Sequence, residues 1–115
     1  MSWQDLSTAP ASGTVVCESH EVEGVRTFDL DGFPLLVIRD ALGLRGFLNL
    51  CPHQFLPLDH RGGRILSADG GRLVCSSHQA QFDAESGEVL AGPAPCGLDP
   101  VPLTEQKGKI LISAF

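Results

Sequence analysis

Turn-forming residues recur along this chain at intervals too short for helices of ordinary length. Ala11-Ser12-Gly13, Asp31-Gly32, Gly62-Gly63, Asp69-Gly70-Gly71, Ser86-Gly87 and Lys107-Gly108 divide it into short runs rich in Val, Ile, Leu and Phe. Glycine and its polar neighbours supply the backbone conformations that chain reversals require. The runs "TVVCE" (14–18), "VRTFDL" (25–30), "PLLVIR" (34–39), "LRGFLNL" (44–50), "RLVC" (72–75), "AQFD" (80–83), "EVL" (88–90) and "KILISA" (109–114) read as strands. No window keeps apolar residues at helical spacing for three turns, so little helix is expected. Short strands punctuated this regularly predict an all-β sandwich or barrel. Within it, the continuously apolar "PLLVI" predicts a central strand covered on both faces, and Asp31-Gly32 turns the chain into it.

A chain of 115 residues suits one domain spanning 1–115. Its hydrophobic content of 43% against 19% charged is that of a folded globular protein. Eight basic residues against fourteen acidic ones give a net charge of −6, which argues against nucleic acid or an anionic membrane as a partner. No apolar run approaches the roughly 18 residues of a membrane span. The start "MSWQDLSTAP" has neither a basic nor an apolar leader region, so a cytoplasmic protein is expected. In that compartment four cysteines point to metal binding or catalysis before disulfides.

Two of the four cysteines and two of the four histidines fall into matched pairs. Cys51-Pro52-His53 is C-x-H and Cys75-Ser76-Ser77-His78 is C-x-x-H, with 21 residues (54–74) between the pairs. Each pair follows a strand-like run and enters a turn-like one, as two loops would if they reached for one object. Two thiolates and two imidazoles could hold a tetrahedral zinc ion, but zinc ligand pairs are usually 2–4 residues apart. The single spacer between Cys51 and His53 is easier to satisfy when the two ligands bind different metals. One iron can then take both sulfurs and a second iron both imidazoles, which is the ligand set of a Rieske [2Fe–2S] centre.

The sequence resembles the Rieske iron–sulfur family, and within it the small Rieske-type ferredoxins. The resemblance is carried by "CPH" (51–53) with Leu58 after it, "CSSH" (75–78), Phe82, Gly87, "GPAP" (92–95) and "DPVPL" (99–103). The flanks "DGFPLLVIR" and "GKILI" sit where strands of that family would lie, so the resemblance covers most of the chain. It implies a Rieske-like antiparallel sandwich with a small cluster-binding subdomain at roughly 49–96. It also implies one [2Fe–2S] cluster per chain, bound by Cys51, His53, Cys75 and His78. The segment at 91–97 reads by its residues as a rigid surface turn; the resemblance implies instead a proline loop that shields the cluster from water.

The implied function is one-electron transport from a reductase to a terminal oxygenase by a cytoplasmic, monomeric protein that is not itself an enzyme. The alternative is a small Rieske subunit of a larger oxidoreductase, such as a nitrite reductase. Cys17 and Cys96 read as small buried hydrophobes. His20 and His60 read as solvated loop residues, and Trp3 as a packing anchor. Phe55 and Gln79 stand where the family usually has glycine, which bears on loop geometry and docking but leaves the ligands untouched.

High-potential members of the family carry an extra cysteine in each ligand loop and a tyrosine hydroxyl on a ligating sulfur. Here Leu56 and Ser77 occupy the cysteine positions, and the chain contains no Tyr. The midpoint potential in a redox titration should therefore lie near the low end of the Rieske range, roughly −150 mV. A value well above zero would contradict this reading.

Overall fold

The structure is a computed structural model of the 115-residue chain and describes residues 3–40, 43–50, 57–59, 65–67, 70–75, 80–92 and 97–113. Nine strands are found among these residues: β1 (Val15–Glu18), β2 (Gly24–Leu30), β3 (Phe33–Asp40), β4 (Gly43–Leu48), β5 (Arg72–Val74), β6 (Gln81–Asp83), β7 (Val89–Ala91), β8 (Leu103–Gln106) and β9 (Lys109–Ile112). Two single 3₁₀ turns, Trp3–Asp5 and Ser19–Glu21, are the helical elements among them. The fold is all-β as expected, and every strand pairing is antiparallel. The chain divides into two compact units, Met1–Leu48 with Asp99–Phe115, and Asn49–Leu98.

The first unit holds two three-stranded sheets, ordered β2-β3-β4 and β1-β9-β8. Strand β3 is central in its sheet, and Leu35, Leu36, Val37 and Ile38 are all fully buried. Four consecutive apolar residues can be buried only where both faces of a strand are covered, as the unbroken run predicts. The β2–β3 reversal turns on Asp31 and Gly32, with φ of 52° and 92°. Positive φ at both central residues is the type I′ conformation, whose twist matches that of the flanking strands. The Asp29 carboxylate stabilises the turn by accepting the Gly32 N–H at 2.6 Å. Lys107 and Gly108 repeat the geometry between β8 and β9.

Trp3 is 4% exposed and meets Phe33 edge to face, with ring centroids 5.8 Å apart. Its backbone N–H donates to the Asp99 carboxylate. The N-terminal anchor read from the sequence is therefore a contact to the sheet core and to the segment that re-enters this unit.

That segment, residues 99–102, runs beside β4. Leu48 N–H donates to Asp99 O and Val101 N–H to Gly46 O, each at 2.8 Å, and Phe47 bridges Pro100. Prolines at 100 and 102 have no N–H, so Val101 supplies the donor toward β4, while Pro102 O accepts the Ser113 N–H at 2.9 Å. Strand β8 has no counterpart in the sequence pattern. Its residues Leu-Thr-Glu-Gln carry little apolar signal, and pairing to β9 makes them a strand.

The second unit is a smaller sheet, ordered β5-β6-β7. Each three-residue strand is too short to be stable alone. Leu73 and Phe82 face each other across β5 and β6 with no exposure, and each such burial contributes about 1.5–3 kcal/mol. Residues 65–67 add a further edge, with Val74 N–H donating to Ile65 O and Ser67 N–H to Arg72 O. Leu58, Ile65, Ala80, Ala84 and Leu98 also belong to the buried apolar set of this unit.

Gly46 is where the re-entrant segment comes closest to β4. A Cβ there would lie 2.8 Å from Val101 O and 2.7 Å from Leu103 Cδ1. Gly46→Ala should therefore lower stability by about 1–3 kcal/mol, the usual cost of overpacking, read as a lower denaturation midpoint. An unchanged midpoint would mean that the 99–102 segment does not close on β4.

Candidate metal centre

Three stretches that the sequence marks for chemistry lie in the second unit, and the described residues show how each is bracketed. Cys75 directly follows β5, is 1% exposed and forms no disulfide. Its N–H donates to Ala80 O at 2.8 Å, continuing the β5–β6 ladder by one bond across residues 76–79. Cys75 is therefore held from the backbone side by the hairpin. The thiol belongs to the same buried apolar set as Leu73, Ala80 and Phe82.

The second bracket lies across residues 50–57. Asn49 Oδ1 accepts the Leu58 N–H at 3.0 Å, and Asn49 Nδ2 donates to Asp59 Oδ1 at 3.3 Å. The third lies across residues 88–97. Leu98 N–H donates to Gly87 O at 2.8 Å, and Gly97 packs so closely that a Cβ would lie 2.5 Å from Gly87 O. Gly87 itself has a φ of 81° and donates to Asp83 O. The Asp83 carboxylate accepts Glu85 N–H and Ser86 N–H, which winds the β6–β7 connection around it.

Of the four expected ligands, Cys75 is placed. Cys51, His53 and His78 lie outside the described residues, as do Phe55, Gln79, His60, Cys96 and residues 93–95. Among the described residues no three His, Cys, Asp or Glu side chains converge as a metal site. Asn49, Asp59 and Gly97 carry no signal for a role in the sequence. A lone Asn two residues before a cysteine is an ordinary loop residue by composition, and only its burial reveals a role.

The remaining sequence expectations separate cleanly. Cys17 is buried in β1 of the first unit, where it pairs with Ile110. Burial raises its thiol pKa, and the Glu21 carboxylate adds to the shift, while Arg26 and Arg39 act against it. This is a packing thiol. His20 is exposed in the Ser19–Glu21 turn, 3.5 Å from the Glu18 carboxylate.

Residues 12–102 match the sequence model of the Rieske [2Fe-2S] domain. The chain belongs to the Rieske family. Its family cofactor is a [2Fe–2S] cluster, and the buried, unbridged thiol of Cys75 fits the thiolate chemistry that iron–sulfur clusters select. The Rieske chain is 29% identical to the ferredoxin component of the alkene monooxygenase system of Xanthobacter autotrophicus. That match covers 74% of this chain and 66% of the relative, just under two thirds of its length. Among solved structures it resembles the ferredoxin of carbazole 1,9a-dioxygenase from Nocardioides aromaticivorans IC177. There the TM-score is 0.74 at 22% identity, and the match covers 91% of this chain and 100% of that one. It also resembles dicamba monooxygenase, with a TM-score of 0.68 and 25% identity, over 89% of this chain but only 31% of that one. A Rieske fold of this extent is thus shared with whole ferredoxins and with part of an oxygenase.

A thiol whose pKa is raised is less often the reactive thiolate. Iodoacetamide at pH 8 should therefore label Cys17 of the native protein at least about tenfold more slowly than in the unfolded chain, as read by peptide mass spectrometry. Equal rates would mean that β1 does not bury this side chain.

Proposed function

We propose that this chain is a one-electron carrier of an oxygenase system, taking electrons from a reductase and delivering them to a terminal oxygenase. The reading is carried by the extent of the match. The fold accounts for the whole of a ferredoxin and under a third of an oxygenase, and the curated relative is itself a ferredoxin component. We assign Cys51 and Cys75 as thiolate ligands and His53 and His78 as imidazole ligands of the cluster. Residues 1–115 form one Rieske domain in this reading, with a cluster-binding subdomain at 49–96. When bound, the cluster supplies a site that accepts and releases a single electron. The chain's own residues would hold it: the backbone bond from Cys75 N–H to Ala80 O fixes the main chain at Cys75, and the burial of that residue would keep water from its thiolate.

Two observations favour a carrier over a permanent subunit. Among the described residues the large exposed hydrophobic side chains are Val15 and Leu90 alone, whereas permanent interfaces are large and apolar. The net charge of −6 suits encounter with a basic face. A monomer in the cytoplasm follows from this reading, and among the described residues no helix is long and apolar enough to cross a membrane.

Purified protein should contain about two iron and two acid-labile sulfide per chain, as the ligand set requires. Cys75→Ala should lose both, with a fall in stability, because metal-binding energy is also folding energy. Cys17→Ala should keep both. Electron delivery to the partner oxygenase should slow as salt rises, since exposed charges are screened over about 8 Å at physiological ionic strength. Stoichiometric zinc without sulfide would overturn the cofactor assignment. Isolation of a tight, salt-resistant complex with a large catalytic subunit would overturn the carrier reading.

A further inference from the structure

The bracket across residues 50–57 differs in kind from the other two. Cys75 and Ala80 are joined by a backbone bond, and so are Gly87 and Leu98. Across 50–57 the described bonds are made by a side chain, the carboxamide of Asn49. A backbone bond survives most substitutions, whereas this one depends on the identity of a single residue.

Asn49 alone among the described residues is both polar and buried, at 4% exposure. Burying a carboxamide is unfavourable unless both of its ends find partners. Here each end meets the group it requires: the oxygen accepts the N–H of Leu58, itself fully buried, and the nitrogen donates to the Asp59 carboxylate. The arrangement is therefore specific to Asn. An alanine would leave the Leu58 N–H without its acceptor. An aspartate would keep that acceptor but set a second carboxylate against Asp59.

We propose that Asn49 is a positioning residue that sets the reach of the loop carrying Cys51 and His53, and so governs how firmly the cluster is held. This rests on the ligand assignment above. Residues 50–57 contain two of the four assigned ligands, and Leu56 and Ser77 stand where high-potential members carry their extra cysteines. Tying the ends of a stretch removes conformational freedom that metal binding would otherwise have to remove. With the tie removed, the same ordering is charged against cluster binding.

The test uses holoprotein of the wild type, Asn49→Ala, Asn49→Asp, Asp59→Asn and the exchange Asn49→Asp/Asp59→Asn. The readouts are the rate of iron release to a chelator and the EPR spectrum of the reduced protein. Loss of a buried partner should make Asn49→Ala release iron at least about tenfold faster and broaden its EPR signal. Asn49→Asp should behave similarly. The exchange variant should recover toward the wild-type rate, because the carboxylate introduced at position 49 then accepts from both the Leu58 N–H and the carboxamide introduced at position 59.

Asn49→Ala with wild-type release and spectrum would overturn the proposal. So would a lowered melting temperature with both readouts unchanged, or an exchange variant no better than Asn49→Asp. If Asn49→Ala does not fold, Asn49→Asp and the exchange variant decide the matter by the same criteria. Wild-type protein lacking iron and sulfide would overturn the ligand assignment and this proposal together. Loaded wild type with indistinguishable variants would overturn this proposal alone.

Discussion

Residues 49–98 form an excursion that leaves the first unit after Leu48 and returns to it at Asp99, and a short antiparallel ladder holds the two crossing points together. Leu48 N–H reaches Asp99 O, Val101 N–H reaches Gly46 O, and the Asp99 carboxylate takes the backbone N–H of Trp3. The entropy of closing a loop grows only slowly with its length, so a few well-placed bonds can fix the ends of a long excursion. Gly46 makes the closure possible because any side chain there would meet the Val101 carbonyl.

The same constraint operates inside the excursion on a smaller scale, at the ends of the two stretches assigned to carry ligands and of the one at 88–97. The β5–β6 hairpin closes on Cys75 and Ala80, and the turn around Asp83 presents Gly87 to Leu98. Asn49 closes the remaining stretch through its side chain. Short strands suffice here because their task is to hold loop ends, and Leu73 against Phe82 gives them a core.

This division of labour accords with a carrier. A protein that accepts and releases one electron requires a firmly held cluster and an accessible partner face; it has no need of a substrate cavity or a catalytic base. The first unit supplies ordinary sheet packing, with Cys17 and Trp3 as parts of it. In the proposed assignment the chemistry is concentrated in the ligand-bearing stretches of the second.

Much of the fold was legible because its signals are local. Asp31-Gly32 and Lys107-Gly108 adopt positive φ at both residues, as hairpin turns require, and "PLLVI" forms a covered central strand in which Leu35 to Ile38 are apolar and fully buried. The paired Cys and His residues pointed to a two-loop metal site through residue type and spacing alone. Other features carry no local signal. Strand β8 is polar and exists because β9 lies beside it. Asn49 gains its role from Leu58 and Asp59, which the chain brings back to it, and Gly97 from the backbone of Gly87. By itself the sequence determined the strands other than β8, the turns and the kinds of ligand on offer, which follow from each residue's own chemistry. Tertiary structure decided which ends meet and which polar group is buried between them, because those depend on contacts that form only once the chain has closed.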